Sequence, residues 1–212
     1  LTEHDLDFGT ECLHLALDYV GTRAKLIDTE GDVWKVTYKK DLYAAEGIAK
    51  EKNIRIALIS SKPNLVMQDI KDELEQKNLT IVSVCSNLSD VSSAVNAIVL
   101  DLFTLPSQNS HCLVKETYKK LQNQCKNGGS LVVMAQHGNG DDVLQQYQLY
   151  HSMCKKLATE GIVHGVCINT VFITTQQDYA DDRSLLCKVV TMVTDLIFHR
   201  NLVFSGQVFQ LP

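Results

Sequence analysis

Gly129-Ser-Leu-Val-Val-Met134 is followed by Ala135-Gln-His-Gly-Asn-Gly-Asp-Asp142, and then by a periodic segment that runs to Glu160. The first piece is an unbroken apolar run of strand length. The second is a polar, glycine-bearing loop. The third places Val143, Tyr147, Tyr150, Cys154 and Leu157 on one helical stripe. An apolar run without alternation fits a strand covered on both faces, and a strand that hands over to a helix is half of a parallel crossover unit.

The same alternation recurs outward from this stretch. Apolar runs at Ile54–Ile59, Thr80–Cys85, Ala97–Leu102, Val163–Asn169 and Leu202–Phe209 predict strands. Between them, Val66–Lys77, Val114–Cys125 and Ser184–His199 carry apolar residues at helical spacing, with a brief helix expected near Asp90–Asn96. A strand at Val33–Tyr38 and a helix over Asp41–Lys52 precede them. Right-handed crossovers then give an α/β fold: a doubly wound, mostly parallel Rossmann-like sheet with helices on both faces. Residues 1–30 are set apart as a helical extension, with Phe8, Cys12, Leu15, Ala16 and Tyr19 on one face, and residues 31–212 form the sheet domain.

Composition excludes several roles. Net charge is -5 and the basic residues come as isolated pairs such as Lys39-Lys40 and Lys155-Lys156, so no stripe for nucleic acid forms. No apolar window reaches membrane-spanning length, and no leader pattern opens the chain. Seven cysteines, none in a C-x-x-C pair and most in apolar segments, read as reduced thiols, and the expected location is cytoplasmic. No His, Cys and acid cluster has metal-ligand spacing. A start at Leu1 without Met leads to the expectation of a domain cut from a longer polypeptide.

The order of elements from about residue 54 to 210 resembles the short-chain dehydrogenase/reductase family. Gly161-Ile-Val-His-Gly-Val-Cys-Ile-Asn-Thr170 is similar to a late strand of that family, and Ser205-Gly206-Gln207 within Leu202–Phe209 is similar to its closing strand. Thr174-Thr175 stands where members touch their cofactor, and Tyr150 stands at the catalytic tyrosine. The resemblance implies an NADPH-dependent reductase, but its chemistry is missing. The catalytic serine position holds Gln136, the lysine position holds Cys154, and Lys155 lies one residue late, about 100° round the helix. Neither Lys39–Tyr43 nor Ser60–Asn64 offers the glycines that let backbone N–H groups reach a pyrophosphate, and Asp101-Leu-Phe-Thr104 replaces the family's Asn-Ala-Gly.

The expected function is therefore a catalytically silent, pseudo-ketoreductase-like domain with a structural or interaction role, of the kind found in fatty acid and polyketide synthases. Its expected partners are neighbouring synthase domains or a reductase, with a homodimer through the helix of residues 142–160. No cofactor is expected. The alternatives are a divergent ketoreductase that binds NADPH and uses Tyr150 with Lys155 or His151, and a regulatory module that binds a small ligand. The ligand crevice would lie where open α/β sheets bind theirs, at Asp101, Gln136, His137 and Asn139. His151 and Cys154, at i and i+3, are close enough on a helix to pair, but Cys154 is read as a core cysteine, since mid-helix does not activate a thiol. Asp141 or Asp142 is expected to cap the following helix.

Overall fold

A computed structural model describes residues 12–23, 25, 28, 35–62, 64–91, 94–103, 107–125, 128–137, 142–174 and 182–211. Contacts divide the chain into two units, residues 1–42 and 43–212. In the first, helix α1 (Cys12–Val20) ends at Gly21, whose φ of +72° only glycine takes without strain and whose N–H donates to the Leu17 carbonyl at 3.0 Å. Phe8 lies outside the described residues. No strand forms over residues 35–38, and Val33 and Trp34 lie outside the described residues. The Asp41 carboxylate instead accepts the backbone N–H groups of Thr37 (3.0 Å) and Tyr38 (2.8 Å) and opens helix α2 (Lys39–Lys52). Local capping has won over the alternating pattern.

The second unit is built on six parallel strands: β1 (Arg55–Ser60), β2 (Thr80–Cys85), β3 (Ala97–Asp101), β4 (Gly129–His137), β5 (Val166–Thr174) and β6 (Val208–Leu211). Their order is β2-β1-β3-β4-β5-β6. Helices α3 (Leu65–Gln76) and α6 (Arg183–His199) cover one face; α4 (Ser107–Gln124) and α5 (Val143–Gly161) cover the other. The strands divide residue by residue: Ile56 and Leu58 face the α3/α6 core, whereas Ala57 and Ile59 face the α4/α5 core. Both faces being apolar, the strands read as continuous runs, as the sequence suggests. Each large aliphatic buried this way contributes about 1.5–3 kcal/mol.

Three boundaries differ from expectation. Near Asp90, among the described residues, a 3-10 turn forms over Leu88–Asp90, held by the Lys120 ammonium donating to the Leu88 and Val91 carbonyls. Ile162–His164 is another 3-10 turn, so β5 starts at Val166, after Gly165 at φ +67°. The run Leu202–Phe209 splits into a 3-10 turn over Leu202–Phe204 and the strand β6. Asn201 causes the split, since its side chain accepts the Val203 N–H at 2.9 Å. Among the described residues no helix is long and apolar enough to cross a membrane.

Candidate functional site

Helix α3, after β1, and helix α4, after β3, lie on opposite faces of the sheet, so the crevice of this fold opens between the carboxyl ends of β1 and β3. Ser60 ends β1 and Asp101 ends β3, and the two are register partners. Asp101 is 1% exposed. Its Oδ2 accepts from Asn64 Nδ2 at 2.6 Å, and its Oδ1 accepts from the Phe103 N–H at 2.9 Å. Ser60 Oγ stands 2.6 Å from both Asp101 Oδ2 and the Lys62 carbonyl, so its single proton bridges them. Asn64 turns its other end to helix α3, where Oδ1 accepts the Met67 N–H at 2.8 Å.

This cluster bears on the cofactor that the fold implies. A pyrophosphate needs a glycine turn and an uncommitted helix N-terminus. Here the Asn64 side chain occupies the Met67 N–H in the first turn of α3, and a buried carboxylate lies 2.6 Å from it. The residues present do not fit a dinucleotide pyrophosphate. Asp101 is thus a tie between two strands and a helix cap, and Ser60 and Asn64 are the partners that sequence reasoning did not assign to it. The usable signal was Asn64 itself, a strong capping residue just before Leu65-Val-Met67.

Of the other predicted positions, Gln136 and His137 continue β4 beyond Met134, the register partner of Asp101. Gln136 is half-buried near the end of β4, opposite Ile173. His137 closes that strand opposite Thr174. Asn139, Asp141 and Thr175 lie outside the described residues. Asp142 makes no capping bond to α5. Among the described residues no group of three metal-ligating side chains forms.

Tyr150 is buried between α4 and α5, bonded to Ser110, with its ring 5.1 Å from His111 and 5.9 Å from Phe172. Burial pushes its phenol up, the opposite of what a proton donor to a carbonyl requires. Burial likewise pushes the His111 imidazole down, with Lys115 adding to the effect. Lys155 is exposed, and His151, also exposed, stacks on Tyr147 at 6.2 Å. Cys154 turns inward and shares a 2.9 Å hydrogen bond with Thr170 Oγ1. The helix face that would present a lysine to a cofactor is packed against β5, where only a small, neutral side chain fits.

The Ser205-Gly206-Gln207 turn has a packing role in full view. Gly206, at φ +86°, donates to the Ile168 carbonyl at 2.7 Å. Ser205 Oγ accepts the Ile168 N–H, and Asn169 Oδ1 accepts the Gln207 N–H at 3.3 Å. A Cβ on Gly206 would lie 2.9 Å from the Cβ of Ala158. The turn therefore fastens β6 to β5 under helix α5, and Asn169 and Gly206 are needed for that junction.

Buried acids make the fold sensitive to base. Burial raises Cys154 and Cys167 from 9.0 to about 11 and Tyr118 from 10.0 to about 12. A raised acid favours folding fully below its unfolded pKa, and that contribution is lost as pH climbs through the folded value. Stability should therefore fall between about pH 9 and 12. Urea midpoints taken at intervals across this window check the slope, which should be shallower in Tyr118→Phe; a flat profile would refute the assignment.

No protein-family profile matches the chain. A D-ribitol-5-phosphate cytidylyltransferase of Xenopus tropicalis is 32% identical over 221 aligned positions, covering 97% of this chain and 52% of the relative. The Homo sapiens protein of that name is 41% identical over 104 positions, 47% of this chain and 23% of its own length. The chain thus spans about half the length of the frog relative that it matches. Among solved structures, a Bacillus cereus enoyl-acyl carrier protein reductase with NADP+ and indole naphthyridinone superposes with a TM-score of 0.54 at 9% identity, covering 75% of this chain and 95% of that one.

These relatives overturn the expectation of a silent pseudo-ketoreductase of a fatty acid or polyketide synthase, together with its ketoreductase and regulatory-module alternatives. The relatives are named for cytidylyl transfer, and no reductase is among them. The resemblance read from the sequence belongs to architecture: six parallel strands with helices on both faces, a fold that superposes on the reductase. Three quarters of the chain share the fold of that reductase, a Rossmann-like parallel sheet covered by helices on both faces.

Proposed function

We propose that the protein works in cytidylyl transfer onto D-ribitol 5-phosphate, with this chain supplying its dehydrogenase-like fold. The observation that carries the reading is the 32% identity to the frog cytidylyltransferase, sustained over 97% of this chain. The Ser60–Asn64–Asp101 cluster supports it from the other side, because it fills the turn on which a hydride-transfer cofactor would lie. In the proposed reaction a phosphate oxygen of ribitol 5-phosphate bonds to the α-phosphorus of CTP. The bond from that phosphorus to the bridging oxygen breaks, and pyrophosphate leaves with the electron pair.

The test uses the protein in the longest form its gene encodes, with the 212-residue chain as a second arm. Pyrophosphate release is followed with CTP and D-ribitol 5-phosphate together and with each alone. Release that needs both substrates is expected from the longer form. No release from that form would overturn the proposal. The behaviour of the shorter chain then reports how much of the machinery it contains.

A further inference from the structure

The amino ends of β4 and β5 and the last turn of α6 flank an open cavity of about 640 Å³. That is the size of a small-molecule site. One wall of it is bare backbone. Gly128 and Gly165 meet there: a Cβ on Gly128 would lie 2.9 Å from the Gly165 carbonyl oxygen, and their φ angles are +93° and +67°. Side chains are thus kept off that wall, and the chemistry comes from the others. His164, His199 and Arg200 line the cavity with nitrogen donors, and the exposed Glu51 adds a carboxylate.

Arg200 is the residue that helix capping does not explain. It ends α6 in the left-handed region, at φ +34° and ψ +53°, with its N–H donating to the Leu196 carbonyl at 3.3 Å. That position favours glycine, which takes it without strain. Here it holds an arginine, half-buried, so that burial pushes the guanidinium down from its ordinary value. A cation suits the carbonyl end of a helix, but His199 in the last turn of α6 already supplies one when protonated. A strained backbone and a partly desolvated cation at one residue mark a side chain placed for what it binds. A guanidinium flanked by two imidazoles is a donor set for a phosphate group, whose oxygens match the planar fork. Glu51 would repel a bare anion but accepts hydroxyl protons, and Ile162 and Leu202 offer aliphatic surface. Phosphate donors, a hydroxyl acceptor and an aliphatic wall together describe a phosphorylated polyol or sugar.

We propose that this cavity binds the phosphate ester of a polyol or sugar, with Arg200, His199 and His164 on the phosphate and Glu51 on the hydroxyls. Titration calorimetry of the 212-residue chain tests it with D-ribitol 5-phosphate, D-glucose 6-phosphate, ribitol and inorganic phosphate. One of the two esters should bind about tenfold or more tightly than ribitol or inorganic phosphate; tighter binding of the first assigns a polyol, of the second a sugar. Arg200→Gly should melt no lower than the wild type, because glycine relieves the left-handed backbone, yet lose about tenfold or more in ester affinity. Glu51→Gln should weaken the ester and leave inorganic phosphate unchanged. His164→Gln with His199→Gln, remote from the strained backbone position, gives a second variant that should also weaken the ester. The site would be overturned if neither ester bound at millimolar concentration, if inorganic phosphate bound as tightly as the esters, or if ester affinity survived in Arg200→Gly or in the histidine variant. None of these results touches the cytidylyl-transfer reading, which pyrophosphate release tests.

Discussion

Asp101→Ala should unfold the chain more readily than any change at the surface of its crevice, by about 3–5 kcal/mol. The carboxylate is 1% exposed and holds three groups from three segments: Ser60 Oγ, Asn64 Nδ2 and the Phe103 N–H. Alanine would take this acceptor from the Asn64 amide and the Phe103 N–H and leave Ser60 with the Lys62 carbonyl, and each buried unsatisfied donor costs about 1–3 kcal/mol. Asn64 would lose the bond that aims it at Met67, so the cap of α3 would loosen as well. Asp101→Asn keeps the shape and one acceptor oxygen and should cost less than half as much. Chemical denaturation of the three proteins checks the ranking; an alanine variant as stable as the asparagine one would show that the cluster does not tie the strands.

Gly161→Ala should be comparably severe, about 3 kcal/mol or more, although it adds only a methyl group. The last turn of α5 passes so close to α4 that a Cβ on Gly161 would overlap the Tyr118 hydroxyl and lie 2.5 Å from the Val166 carbonyl oxygen. The tyrosine cannot retreat freely, because it is fully buried and its hydroxyl donates to the Leu157 carbonyl at 2.6 Å. Tyr118→Phe alone should cost about 1 kcal/mol. Combined with Gly161→Ala it should recover only part of the loss, because the Val166 backbone still blocks the methyl. Calorimetric melts of the two single variants and the double variant separate these contributions; full recovery in the double variant would show that the Val166 backbone yields.

The sheet was legible because its strands are buried on both faces and so leave long apolar runs, such as Gly129–Met134, that few other structures require. Helix α6 was read almost to the residue because Asp182 caps it through Ser184 N and Leu185 N, a signal carried by neighbouring residues. The crevice was less legible. Asp101 stood out as an acid at a strand end, but its partners Ser60 and Asn64 come from another crossover, and only the pairing of β1 with β3 brings them together. Tyr150 falls on the apolar stripe of its helix, and the structure packs it against Phe172 and His111.

The all-parallel sheet has a consequence for how the chain reaches this state. With no hairpin among its six strands, no pairing can form from adjacent residues: Ile56 must find Ala97, Ala97 must find Ser130, and Thr170 must find Val208. Each of these closures spends chain entropy before any contact repays it, so folding should be slow for a chain of this size. The uncharged strand Thr80–Cys85, at the sheet's margin with Val84 60% exposed, is a segment able to pair with other chains during that delay.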